Sequence, residues 1–430
     1  MITEKLYQVT LKKTDVEKET SKMGLAWFGH CVKDYGIDKI IDRYKPKKAN
    51  KEIKASEKIM AGVLSITAGA ERIEDLENIR ADKGLINNLG LKSIISPDTL
   101  REYLKVKRHN GITRKCNEEL IIKAMKTTAE KDFTYDNDAT YFDSKKASAA
   151  YSYQKKKQFS GLLGFIAELG LCNTVDFRRG NISPQSGILN QLRKSVMQAK
   201  EAGKRIKRFR SDSAAHKNEV FRECNNEGIE YYISLDKNAA VMESINALTE
   251  KYWNELPKEK DEDKLVEWAE TVYVTAAGLG MRMLVLRWAN PNPDLFNTSR
   301  YCYHAISTNN NDIEPLDWLR FHNGRMNSEN YNKEVKNGFN CNYTPSHEFE
   351  MNRGYFLLGI LAYNLVQIMK QFYLGPASSK WTIKTLRYKF INTCGKVIRT
   401  GRRYFCKIIN VTDSVFELFE NCLSRLVYRN

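Results

Sequence analysis

Apolar residues recur at helical spacing through most of the first 130 positions. "EIKASEKIMAGVLSITAG" carries its apolar residues at that spacing and stops at Gly69, so it predicts an amphipathic helix. "SPDTLREYLKVKRHNG" opens with Ser96 as N-cap and Pro97 at the first helical position. It then sets Arg101, Lys105 and Arg108 along the helix. A short helix, a turn and a basic helix suit a DNA-reading module, and equally an ordinary helical bundle with a solvated face.

From Phe133 the period shortens. "FTYDNDATYFD" alternates β-branched, aromatic and polar residues. "FSGLLGFIAELGLC" and "NTVDFRRGN" follow as strands ending in a turn at Gly180–Asn181. A helix is predicted from the Ser183–Pro184 cap to Gly203, then a strand in "IKRFRSDS", a short helix in "HKNEVFRECNNEG" and a strand in "IEYYISLDK". Three strands, helix, strand, helix, strand is the layout of an RNase H-like α/β domain. A solvated acidic–basic run and three further strands, "TVYVTAAG", "MRMLVLRWAN" and "RYCYHAIST", predict a β-rich insertion. The expected division is therefore a helical N-terminal DNA-binding region at 1–130 and an RNase H-like core at 131–239. The insertion at 240–320 follows, then the second part of the core with a catalytic helix at 321–375. A basic helical region at 376–430 closes the chain.

The apolar run "YFLLGILAYNLVQIM" is short for a membrane span and contains Asn364 and Gln367, so a buried helix from Phe349 to Phe372 is expected. The N-terminal residues lack the apolar stretch of a signal peptide. No membrane partner is expected, and the nine scattered cysteines fit free thiols in a reducing compartment. A cytoplasmic protein is the expectation.

Charge sharpens this. The formal net charge is +17, which suits a polyanionic partner. Twelve Lys/Arg stand against three Asp/Glu from Lys370 to the end. Lys145, Lys146, Lys155, Lys156 and Lys157 form a second basic cluster, and Arg193 to Arg210 a third.

"NGRMNSENYNKEVKNG" holds Arg325, Glu329 and Lys336. On a straight helix Glu329 falls about 40° from Arg325, Lys336 about 20° and His322 about 60°. Tyr331, Val335 and Phe339 share another face, the expected core side. A solvated helix with an Arg–Glu pair at i, i+4 would look the same. Acids elsewhere favour chemistry. Asp138 lies in the first strand and Asp212 at the exit of the fourth, strands that neighbour one another in an RNase H-like sheet. With Glu329 they form three carboxylates whose repulsion calls for cations. Two Mg²⁺ ions, which Mn²⁺ can replace, would serve phosphodiester chemistry, and the absence of a His/Cys zinc spacing favours these over zinc.

The chain resembles DDE transposases of bacterial insertion sequences. It is most similar to the branch with a Y-(2)-R-(3)-E-(6)-K signature and a β-insertion, and within it to insertion-sequence type thirteen-eighty. "GAERIEDLENIRADKGLINNLG" resembles the N-terminal motif, "DNDAT" the first aspartate motif, "FRRGN" an R-P-G-N turn, "RSDS" the second aspartate motif, and "RMNSENYNKEVK" the signature. His322 stands where the signature has tyrosine, and Arg179 where the turn has proline. The resemblance implies catalytic and metal-ligating roles for Asp138, Asp212 and Glu329, over the rival acids Asp136, Asp143 and Asp236. It implies DNA contacts from Arg325, Lys336, His322 and Arg210, and an extruded base stacked on Trp288 or Trp318. It also implies cut-and-paste chemistry on double-stranded DNA, at terminal inverted repeats and target, by a homodimer. Two other readings stay open. One is a retired, transposase-derived DNA-binding protein. The other is a tyrosine recombinase, whose H-x-x-R element His322–Arg325 would fit.

Overall fold

A twelve-residue strand, β1 (Asp132–Asp143), is the axis of the architecture. The computed structural model describes residues 17–44, 53–257, 265–291, 299–400 and 403–427. Most of the acidic–basic run expected to be solvated, and the segment read as lacking a signal peptide, lie outside the described residues. Beside β1 runs β3 (Lys157–Ile166), antiparallel, with Asp138 opposite Leu163. The short β2 (Ala150–Tyr151) and β4 (Leu171–Arg179) both pair antiparallel with β3. On the other side of β1 runs β5 (Arg205–Ser211), parallel, and then β6 (Glu230–Ser234), parallel to β5. Helix α5 (Ile188–Glu201) precedes β5 and α6 (Asn218–Glu227) precedes β6. The expected order of three strands, helix, strand, helix, strand is present, with the first helix starting at Ile188 after Gly187 instead of at the Ser183–Pro184 cap.

The strands expected as an insertion join this same sheet. β7 (Val266–Val274), β8 (Gly280–Ala289) and β9 (Tyr301–Thr308) form an antiparallel meander, and β9 pairs antiparallel with β6.

The sheet is sandwiched. Odd-numbered residues of β1 face α5: Gln191 accepts from Asn137 Nδ2 at 2.8 Å and donates to the Leu162 carbonyl at 3.0 Å. Even-numbered residues face α9 (Phe349–Met369), whose Phe356 ring lies 5.3 Å from that of Phe142. The buried-helix expectation for the apolar run therefore describes α9. Asn364 is tolerated there because its amide is satisfied by Asn117 Oδ1, at 2.7 Å, and by the backbone of Cys172. No helix among the described residues is long and apolar enough to cross a membrane.

N-terminal helices close over the far side of α9: α1 (Met23–Asp34), α2 (Ala55–Ala68), α3 (Pro97–Lys105) and α4 (Lys107–Thr127). Their apolar faces merge with the sheet in one hydrophobic cluster. The Ser96 cap accepts from the Thr99 N–H as the sequence suggests. Arg101 pairs with Asp98 and Glu74, and Lys105 with Glu102.

The C-terminal region departs from the helical expectation. β10 (Cys394–Thr400) and β11 (Arg403–Ile409) make a hairpin, joined at its edge by Glu19–Thr20, before α10 (Asp413–Val427). "CGKVIRT" and "RYFCKII" bring β-branched and aromatic residues together around Gly401, a hairpin pattern that net charge alone obscures. All nine cysteines are free.

Candidate active site

The parallel register pairs Asn137 with Ser211, so Asp138 and Asp212 come next on adjacent strands. Asp212 is the N-cap of a short 3₁₀ turn and accepts from the Ala214 N–H at 3.0 Å, which fixes its carboxylate at the mouth of the sheet. Helix α7 (Pro315–Asn323) leads to Gly324, and α8 (Met326–Lys333) packs against β1. The Arg325 guanidinium lies between two acids: Nη2 donates to Glu329 Oε1 at 2.9 Å, and Nη1 is 3.9 Å from Asp138 Oδ1. Glu329 has 55% of its side chain exposed, whereas Asp138 has 16%.

Burial raises the Asp138 carboxyl to about 6, and the Asp212 charge pushes the same way. Arg325 opposes the rise and Glu329 adds to it. Burial likewise raises Asp212, with Asp236 and Glu329 reinforcing and the Ala214 N–H and Arg325 opposing. The three acids therefore share one electrostatic field, in which Arg325 supplies the positive charge. A divalent ion suits this donor set of hard carboxylate oxygens held against mutual repulsion. Among the described residues, however, no three His, Cys, Asp or Glu side chains are drawn closely enough together to hold one ion.

Asn332, which the sequence reading missed, donates from Nδ2 to Asp138 Oδ2 at 2.7 Å. Its other amide atom, Oδ1, is buried without a partner. The available signal was its spacing of three from Glu329 on one helix.

Other expected contacts find different surroundings. Arg210 is not placed for DNA. Its Nε and Nη2 grip Asp136 at 2.7 and 2.8 Å, and Nη1 donates to the Phe321 carbonyl at 2.8 Å. That pair is buried and takes the rival acid Asp136 out of solvent. His322 is 4% exposed, between the Tyr232 carbonyl on Nδ1 and the Ser234 hydroxyl on Nε2. Burial holds its pKa down to about 3, so it is neutral and faces the core instead of DNA. The H-x-x-R pairing also fails in space, because His322 bonds to β6 while Arg325 turns to β1 and Glu329. Trp318 is 0% exposed, within a cluster with Tyr232, Leu284 and Ile306, and cannot stack a base without unpacking that core. Trp288 is half-buried on β8. Lys336 is half-buried and donates to the Tyr141 carbonyl at 2.8 Å. Of the remaining rival acids, Asp143 accepts from Gln158 at the far end of β1. Asp236 lies in the field of Asp212.

The straight polar stripe expected on one helix is broken. α7 ends at Asn323, and α8 passes into a π-helical turn, Glu334–Gly338. A Cβ at Gly324 would lie 2.3 Å from Arg210 Nη1, so the close approach of that guanidinium requires glycine there. Val335 and Phe339 are fully buried and Tyr331 half-buried against Phe165, as expected for the core face.

Residues 8–428 match the profile of a family described as "Transposase DDE domain group 1". The chain belongs to that family of DDE transposases. No curated protein matches the transposase. Among solved structures, it is similar to a piggyBac transposase synaptic complex with hairpin DNA, at a TM-score of 0.41 and 10% identity, covering 94% of this chain and 78% of that one.

Proposed function

We propose that this transposase cleaves DNA at the ends of an insertion sequence and joins them to target DNA, with Asp138, Asp212 and Glu329 as its catalytic carboxylates. One observation carries the reading: Asp138 within β1 and Asp212 just past the end of the adjacent β5 lie beside the helix that bears Glu329, and Glu329 raises the proton affinity of both. The order β4-β3-β1-β5-β6, with β3 antiparallel to β1, supports an RNase H-like core at 131–239 and 321–375. Strands β7–β9 are then the insertion at 240–320, flanked by the DNA-binding region at 1–130 and the basic region at 376–430. The signature spacing supports the bacterial insertion-sequence branch, and the charge of +17 supports double-stranded DNA as partner. A homodimer would hold the two ends.

Asp138, Asp212 and Glu329 would hold two Mg²⁺ or Mn²⁺ ions, which when bound activate the attacking oxygen and stabilise the leaving one. Asn332 orients Asp138 by its hydrogen bond. Arg325, between Asp138 and Glu329, is placed to bind the scissile phosphate bidentately. Lys336 braces β1 at Tyr141 and Trp288 remains a candidate for base contact.

The test is cleavage of a labelled duplex carrying the DNA that flanks the element's own gene. Cutting in Mg²⁺ that stops with chelator, while binding persists, supports the proposal. Specific binding without cutting under any divalent ion would identify a DNA-binding protein that has lost catalysis.

A further inference from the structure

The strands beyond β6 carry a histidine to the edge of the candidate site, and no role above uses it. β9 runs antiparallel to β6, with Ile306 opposite Ser234, and the Leu235 N–H donates to the Ala305 carbonyl at 2.8 Å. His304 therefore lies past the C-terminal end of β6, beside the segment Asp236–Lys237. The parallel strand β5 ends at the same edge and leads to Asp212. The order β5-β6-β9 separates the two by two strand spacings, about 10 Å.

The His304 side chain is turned towards the helices that form the site. Its ring lies 6.1 Å from that of His322 on α7, and the Arg325 charge reaches it from the N-cap of α8. Leu286 is its apolar neighbour on β8. The imidazole is half-buried, and no described residue hydrogen-bonds to either ring nitrogen. Lys237 is exposed, and no described carboxylate pairs with it. Burial holds the His304 imidazole below its ordinary value, and Lys237 and Arg325 push the same way. His322 behind it is neutral. Asp236, the acid of the adjoining segment, acts on Asp212 and His216. Half-buried polar groups usually have a partner. Around this ring stand donors and cations, and what is missing is an acceptor. A phosphate oxygen is an acceptor that also carries the opposite charge.

We propose that His304 is a DNA contact which, with Lys237, binds a backbone phosphate near the scissile one. The two strand spacings from Asp212 make it a different phosphate from the one at the acids. This rests on DNA being the substrate and not on which acids cut. An anion beside the ring favours imidazolium, so DNA binding draws in a proton and tightens as pH falls.

The test is binding of the labelled flanking-DNA duplex by the full-length protein, without divalent ions, from about pH 5.5 to 8. At the acid end His304→Gln should weaken binding about tenfold and lower the salt slope by about one unit. At the alkaline end the loss should shrink to about threefold or less, because the ring it replaces is then neutral. His304→Arg, a permanent cation, should restore the affinity and remove the pH dependence that His304 contributes. Lys237→Gln should lower the slope by about one unit across the range. A ring without hydrogen bonds leaves little to lose on substitution, so the urea midpoint of His304→Gln should stay close to that of the intact protein. Parallel pH profiles for the intact protein and His304→Gln, or equal weakening by Gln and Arg, overturn the proposal. No duplex binding by the intact protein at any pH overturns it together with the function proposed above. A His304-dependent pH profile in a chain that never cuts upholds it while the cleavage reading fails.

Discussion

Arg210 holds Asp136 in a two-pronged buried pair, two residues upstream of Asp138 on β1 and directly opposite in the parallel register. The arginine expected on DNA is thus a strut under the strand that carries Asp138. Arg210→Ala should strand a buried carboxylate and cost about 3–5 kcal/mol of stability. Urea unfolding measures this, and the salt dependence of DNA binding by the folded fraction should keep its slope. A flattened slope with unchanged stability would return Arg210 to the DNA surface.

The acids should separate cutting from binding. Glu329 is more than half exposed and pairs only with Arg325 among the described residues, so Glu329→Ala should leave the urea midpoint nearly unchanged. Cleavage should fall by at least about a thousandfold in Glu329→Ala and in Asp212→Ala. End binding should persist in both. Residual rapid cutting by Glu329→Ala would assign the third carboxylate elsewhere, with Asp236 the next acid to replace.

His322 makes acid stability measurable at one site. Its pKa is about 3 when folded, against 6.5 unperturbed. The unfolded chain therefore binds the extra proton first. The stabilisation is whole above pH 6.5 and is lost on acidification, at about 1.4 kcal/mol per pH unit, down to the folded pKa. His322→Gln keeps a donor for the Tyr232 carbonyl and an acceptor for Ser234 but does not titrate. Between pH 6 and 4 the gap between variant and intact protein should change by about that slope. Parallel pH profiles would mean that the imidazole is charged or exposed.

Arg325 and Lys336 should now differ in kind. Arg325→Lys keeps charge but loses the fork, so cleavage should drop about tenfold or more while end binding changes little. Lys336→Met removes a bond to the Tyr141 carbonyl and should cost about 1 kcal/mol of stability. Its effect on the salt slope of binding should stay below that of a full phosphate contact. A unit loss of slope with unchanged stability would place Lys336 on DNA.

Local pattern was enough for the strands and for the placing of Asp138 beside Asp212. Alternation marked β1, and Asp138 and Asp212 are neighbours because that element order makes β1 and β5 adjacent. Arg325 and Glu329 meet because four residues is one helical turn. The straight wheel failed on both sides of that turn. Upstream, Arg210 presses against Gly324 from a strand far away in sequence, and His322 is carried into the core. Downstream, a π-turn shifts Lys336 towards the Tyr141 carbonyl. No helical period contains that information. Trp318 was ambiguous for a related reason: an aromatic in a polar stretch reads the same whether it packs or stacks, until Leu284 and Ile306 arrive from other strands.

Helix α9 also sets a timetable. It is buried between the sheet and helices α2, α3 and α4, yet it begins at Phe349. During synthesis, at about 5–20 residues per second, the completed α4 would wait roughly 10–45 s for its main packing partner. Through that interval the apolar faces of the N-terminal helices and of β1, β3 and β4 stay uncovered. Late closure of long-range contacts slows folding and exposes the nascent chain to aggregation. Amounts of functional protein should therefore respond to translation speed and chaperone supply, and a chain truncated before Phe349 should accumulate as insoluble material, not as a working DNA-binding fragment.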